Sequence, residues 1–190
     1  RSSKVQLISS PGWQCHYPGD PSSVFPRFFS FLGLLVVLPV ALCVAETRIS
    51  TFTTPLTKSG SPWIIEQSIT VPAGQTLVVE PGAEVQFNSG TELLIAGGIP
   101  GGHLEAVGMA LEPIVFTSTS TGIAPDFKAP GQWEVLSFEG GSSGLMEFCT
   151  VEFGRATVLS RRAAVTMRSC LIRQSLGTGL TVLAPAGDLG

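Results

Sequence analysis

The sequence predicts an all-β solenoid, a right-handed parallel β-helix of about five to six short-strand coils. Three observations carry this. Ser68–Phe87 (SITVPAGQTLVVEPGAEVQF) sets three short β-rich runs between Pro-Ala-Gly and Pro-Gly turns, too close together for a helix to form across them. Strand-turn units of the same kind recur as far as Leu183, which a single hairpin meander does not explain. Charged residues are only 13% of the chain, with Gly 22 and Pro 14, a balance that favours turns and pleated runs over a helical bundle.

The N-terminal part reads differently. Residues 1–23 hold two Pro-Gly pairs, no periodicity and no initial Met, and read as non-native upstream sequence ahead of a true start near Val24. Residues 24–45 read as a secretory signal peptide. Arg27 precedes the apolar run Phe28–Ala45 (FFSFLGLLVVLPVALCVA), and small residues close it at Cys43-Val-Ala45. A membrane anchor is the competing reading, but the run falls short of the ~20 residues that span a bilayer and Pro39 interrupts it. Leu42 ahead of Cys43 argues against lipid attachment. The expected mature chain starts at Glu46 and lies outside the cell or in its envelope, the signal segment engaging the membrane only during export. Residues 46–62 are Thr/Ser-rich and unpatterned, and read as a linker. Residues 63–190 are the expected β-helix domain, incomplete because Ala184–Gly190 stops inside another turn signal.

Within that domain the runs are short and alternate apolar with polar residues, as in Val85-Gln86-Phe87 and Leu104-Glu105-Ala106. Alternation points one set of side chains inward and the other to water. Three such strands per turn of about 21–24 residues describe a parallel β-helix. Met146-Glu-Phe-Cys149-Thr-Val151-Glu152 matches Met167-Arg-Ser-Cys170-Leu-Ile172-Arg173 at a spacing of 21. On successive coils, matched residues stand about 4.8 Å apart. Glu147 then faces Arg168, and Glu152 faces Arg173, as inter-coil charge pairs. Cys149 and Cys170 stack as a core pair. A disulfide is tempting after export, but in-register parallel strands hold Cβ atoms nearly as far apart as Cα atoms, whereas a bridge wants about 3.8 Å. A buried ladder of two free thiols is the expectation.

Net charge is −3, which argues against nucleic acid as a partner. Between Glu66 and Glu152 lie eleven acids and a single base, Lys128; then follow Arg155, Arg161, Arg162, Arg168 and Arg173 with no acid among them. Arg155, Arg161 and Arg162 are therefore candidate contacts for an anionic glycan, against the alternative that these bases pair with acids one coil away. Trp133, after Pro130-Gly-Gln, joins them as a possible ligand contact, while the Phe residues read as core. His103 lies in a Gly-Gly turn, and no Cys-x-x-Cys, calcium nonapeptide or phosphate loop occurs. No catalytic residue, cofactor or metal is expected from these patterns.

Ser68–Phe87, Leu104–Ser118 (LEAVGMALEPIVFTS) and Gln132–Gly154 (QWEVLSFEGGSSGLMEFCTVEFG) together resemble secreted right-handed parallel β-helix repeat proteins of the pectate-lyase-like superfamily, common in large bacterial surface and secreted proteins. The resemblance covers about residues 63–183 and implies the fold more than the function, because the superfamily hosts lyases, hydrolases, adhesins and scaffolds. It implies a secreted structural or adhesive module, with a polysaccharide or cell-surface glycan as the partner. The alternative is the N-terminal part of a polysaccharide lyase or glycoside hydrolase whose catalytic coils lie beyond residue 190. Enzymes of this shape cluster Asp residues on one face, whereas after the signal this chain has only Asp126 and Asp188.

Overall fold

A computed structural model describes residues 46–119 and 127–183. The expected upstream segment 1–23, the signal peptide 24–45, Asp126, and the last turn signal 184–190 lie outside the described residues. Among the described residues no helix is long and apolar enough to cross a membrane.

The strands in chain order are β1 (Thr47–Ile49), β2 (Trp63–Ile65), β3 (Ile69–Val71), β4 (Thr76–Val79), β5 (Glu84–Phe87), β6 (Leu93–Ile95), β7 (His103–Val107) and β8 (Ile114–Ser118). They continue as β9 (Leu136–Phe138), β10 (Ser143–Glu147), β11 (Cys149–Glu152), β12 (Val158–Arg161), β13 (Ala164–Arg168), β14 (Leu171–Arg173) and β15 (Leu180–Leu183). A single 3-10 turn, Lys58–Gly60, is the one helical element among the described residues. Three sheets form: sheet A in the order β1-β2-β5-β8-β11-β14, sheet B in the order β13-β10-β7-β4, and sheet C in the order β15-β12-β9-β6-β3. From β3 onward the chain visits C, then B, then A, and repeats. Every strand pairing is parallel, so the architecture is the all-β parallel solenoid that the strand-turn repetition predicts.

The corners between sheets explain how such short strands stay separate. Where the chain leaves C for B, the turning residues with positive φ are Gly74, Gly98, Gly141 and Arg162. Leaving B for A, Gly82, Phe148 and Ser169 take that conformation; leaving A for C, Gly90, Gly131, Phe153 and Gln174 do. At most corners a left-handed residue swings the backbone sharply without a long loop, and glycine takes it without a Cβ clash. The later corners carry side chains at the same cost that glycine avoids earlier.

Inward columns run through the stack. In sheet A, Val85, Phe116, Val151 and Ile172 follow one another in register. In sheet B, Leu77, Leu104, Gly144 and Val165 do so. Gly144 is required where it stands: a Cβ there would come within 2.5 Å of the Phe138 ring, which fills the space. In sheet C, Leu93, Leu136 and Val158 are fully buried, whereas Leu180, next in the column, is 47% exposed. The core is thus sealed along most of its length and uncovered beside β15.

The other end differs. The stretch 46–62, expected as a linker, belongs to the solenoid. β1 pairs in register with β2, and Leu56 pairs as a parallel bridge with Val79, its N–H on Val78 O at 2.8 Å. Leu56 is fully buried, Phe52 packs against the core, and Trp63 Nε1 donates to Thr57 O at 2.7 Å. Ile49, Phe52 and Leu56, scattered among Thr and Ser, give no periodicity, yet all three pack onto the core at the first coil.

Candidate functional site

The Glu–Arg ladder follows from the register. Met146 pairs with Met167 and Glu147 with Arg168 across β10 and β13; Val151 pairs with Ile172 and Glu152 with Arg173 across β11 and β14. Outward positions of one coil carry acids and those of the next carry bases. Arg168 Nη1 lies 2.9 Å from Glu147 Oε1, and Arg173 Nε 2.7 Å from Glu152 Oε2. Two further pairs continue the pattern on the neighbouring faces, Arg155 Nε with Glu134 at 3.0 Å and Arg161 Nη1 with Glu139 at 3.0 Å.

The expected glycan-contact residues take different places in the fold. Arg155 and Arg161 spend their charge on carboxylates of the preceding coil. Arg162 is exposed, has no ion-pair partner among the described residues, and its backbone forms a left-handed corner. It stands apart from the other two as a lone surface base. Trp133 is not a ligand contact. It is fully buried, its ring stacked on Phe87 at a centroid distance of 4.3 Å and an interplanar angle of 11°, and Nε1 donates to Glu152 O at 2.8 Å. The indole bridges coils because its apolar face and single N–H both find partners inside. Sequence alone misplaces it because Gln132 and Pro130 nearby suggest a surface turn.

Cys149 and Cys170 are free thiols one coil apart, immediately before the register pair Thr150 and Leu171. Cys149 is buried and Cys170 half-buried. Cys149 Sγ donates to Ala106 O at 3.2 Å, and Cys170 Sγ to Met146 O at 3.3 Å, so each thiol reaches a carbonyl of the coil below. The mutual influence of the two neighbouring thiols raises Cys149 above the ordinary thiol range, with burial adding to the rise, and lowers Cys170 below it. Cys170 is therefore the sulfur that ionises first.

A polar groove of about 550 Å³ lies on the outer face of sheet A. Ile64 forms its apolar floor; Glu84, Gln86 and Asn88 line it from β5 and the following turn; Arg48 lines it from β1 and Glu46 from just before that strand; Thr119 and Lys128 close it. Strand alternation puts Arg48, Ile64 and Gln86 in register on the outward side. Gln86 Nε2 donates to Glu84 Oε1 at 2.8 Å, and Lys128 Nζ reaches Glu84 Oε1 at 3.8 Å and Thr117 Oγ1 at 3.3 Å. Thr117 in turn donates to Glu152 at 3.0 Å, which joins the groove to the Glu152–Arg173 pair. Arg48 is clamped by Glu66 and Glu46, which hold its guanidinium charged and raise its pKa further. Amide, hydroxyl, carboxylate and guanidinium groups over an apolar floor are the donor and acceptor set that a polyhydroxylated ligand needs. Sequence reading missed this groove because its residues come from β1, β5 and the segment after β8, which only the solenoid brings together. The available signal was length: Leu93 to Leu136 spans nearly two coil repeats, and so announces an insertion.

No family model matches this sequence, and neither the curated proteins nor the solved structures hold a match to it.

Proposed function

We propose that this chain is an exported structural and adhesive module of right-handed parallel β-helix type, which contacts carbohydrate through the groove on sheet A. The groove carries the reading: it is polar, built on rigid strands, and offers neutral hydrogen-bonding groups (Gln86, Asn88, Thr119) beside Glu84, Arg48 and Lys128. Rigid strand positions suit recognition of an extended, hydroxyl-rich chain because little conformational entropy is lost on binding. The Glu–Arg ladder supports the structural half of the reading, since those charges hold neighbouring coils together.

Isothermal titration of the purified chain with a panel of neutral and acidic polysaccharides tests it. Saturable binding is expected, weakened about tenfold by the double change Gln86→Ala and Asn88→Ala, because each lost neutral hydrogen bond costs about 0.5–1.5 kcal/mol. Binding unaffected by those changes would move the contact away from sheet A. Release of shortened sugar products during the titration would replace the adhesive reading with an enzymatic one. Export is tested separately, by mass spectrometry of the secreted chain, with Glu46 expected at its N-terminus.

A further inference from the structure

We propose that Cys149 and Cys170 form a two-thiolate site for a soft monovalent metal ion of the copper(I) class. The two sulfurs sit on the inward side of adjacent parallel strands, in line with Ile114 below them and immediately before the register pair Thr150 and Leu171. Both thiols are free. A disulfide needs Cβ atoms about 3.8 Å apart, closer than the spacing of about 4.8 Å between in-register strands. Two metal–thiolate bonds of about 2.3 Å, laid end to end, span about 4.6 Å. The usual coil spacing is therefore wider than a disulfide prefers and close to the span of sulfur–metal–sulfur.

The surroundings select the kind of ion. Met146 and Met167 pair in register and point inward three residues ahead of each cysteine, so two thioethers stand around the corner from the two thiols. Thiolate and thioether sulfur favour copper(I), whereas oxygen-seeking ions find only Ala106 O, Glu147 O, Met146 O and Arg168 O, all neutral carbonyls. Binding would release both S–H protons to solvent and leave a complex with one net negative charge. The cation offsets the cost of burying thiolates, which no group now present inside does. Cys170 is only half-buried, and Met167 beside it lines a cavity of about 180 Å³ with Val158, Val165, Leu180 and Val182. A motif search by Cys-x-x-Cys spacing passes over such a site, because here the coil repeat, and not the local sequence, brings the ligands together.

The test uses the full chain with Cys15 and Cys43 replaced by alanine, reduced and kept anaerobic, titrated with a cuprous salt against bicinchoninate as competitor. One ion per chain is expected. Cys149→Ala and Cys170→Ala should each weaken it by at least ~100-fold, the loss that even indirect partners of a metal ligand can produce. If either single variant keeps the parent affinity within a few-fold, or if the parent takes up no ion or several, the proposal fails. Circular dichroism checks that each variant keeps its β spectrum. Should one not fold, X-ray absorption on the loaded parent decides alone: two or more sulfurs at about 2.3 Å support the site, and nitrogen or oxygen ligands overturn it.

Discussion

Glu152 shows how one side chain can matter more than its neighbours in the same ladder. Its carboxylate is almost enclosed and accepts from Thr117 at 3.0 Å and Arg173 at 2.7 Å. Removing Arg173 would strand a buried charge, whereas Arg168, 70% exposed, guards a carboxylate that water can also reach. Arg173→Ala is expected to cost about 1–3 kcal/mol in denaturant unfolding, and Arg168→Ala less than about 1 kcal/mol. Equal losses would show that burial does not separate the two pairs. Gly144→Val should cost about 1–3 kcal/mol by overpacking against Phe138. Arg162→Gly should instead stabilise, by up to about 1 kcal/mol, because φ is 55° there and the equivalent corner one coil earlier is Gly141. Alkylation gives a fourth test: Cys170, the half-buried thiol lowered by its neighbour Cys149, should react first and keep reacting at a pH where an ordinary thiol has stopped. Its reactivity should fall away as pH drops through that lowered value, while Cys149 stays protected. At this scale the charge pairs were legible, because residues 21 apart at matched positions must face each other once the coil length is known. Trp133 was not, because an aromatic beside a turn can point either way and only the stack with Phe87 decides it.

The elements were legible for a different reason. Alternation such as Val85-Gln86-Phe87 reports directly on a strand with one buried face, and Pro-Gly turns mark where it stops. The cover over the first coil carries no such mark. Leu56 makes a single bridge to Val79, and nothing in Thr53-Thr54-Pro55 announces it. Its burial is nonetheless complete, so Leu56→Ala should cost about 2–5 kcal/mol, the range for deleting a buried leucine side chain. A true linker would tolerate the change within about 0.5 kcal/mol, so urea unfolding separates the two descriptions cleanly. The insertion between β8 and β9 is the converse case. Its length was visible, but its role in walling the sheet A groove depends on Lys128 reaching Thr117 and Glu84 across the surface, and no local pattern encodes that reach.

At the scale of the molecule the two ends of the stack are unlike. One is closed by Phe52, Leu56 and Trp63, while at the other Leu180 and Val182 are 47% and 67% exposed on strand β15, which among the described residues has a strand on one side only. Unpaired apolar edges recruit further strands. The chain is expected to self-associate at micromolar concentration, and Val182→Lys to suppress this in sedimentation; persistence of the larger species would place the sticky surface elsewhere. The parallel register has a mechanical side as well. Hydrogen bonds between strands lie along the stacking direction, so tension applied between the chain ends loads one rung of the ladder at a time. Extension should therefore proceed by peeling in steps and not by a single shear failure. The step lengths are written in the register: Leu136 to Val158 and Val158 to Leu180 are 22 residues each, while Leu93 to Leu136 is 43. At about 3.5 Å per extended residue, an optical trap should record two releases of about 7–8 nm followed by one of about 15 nm.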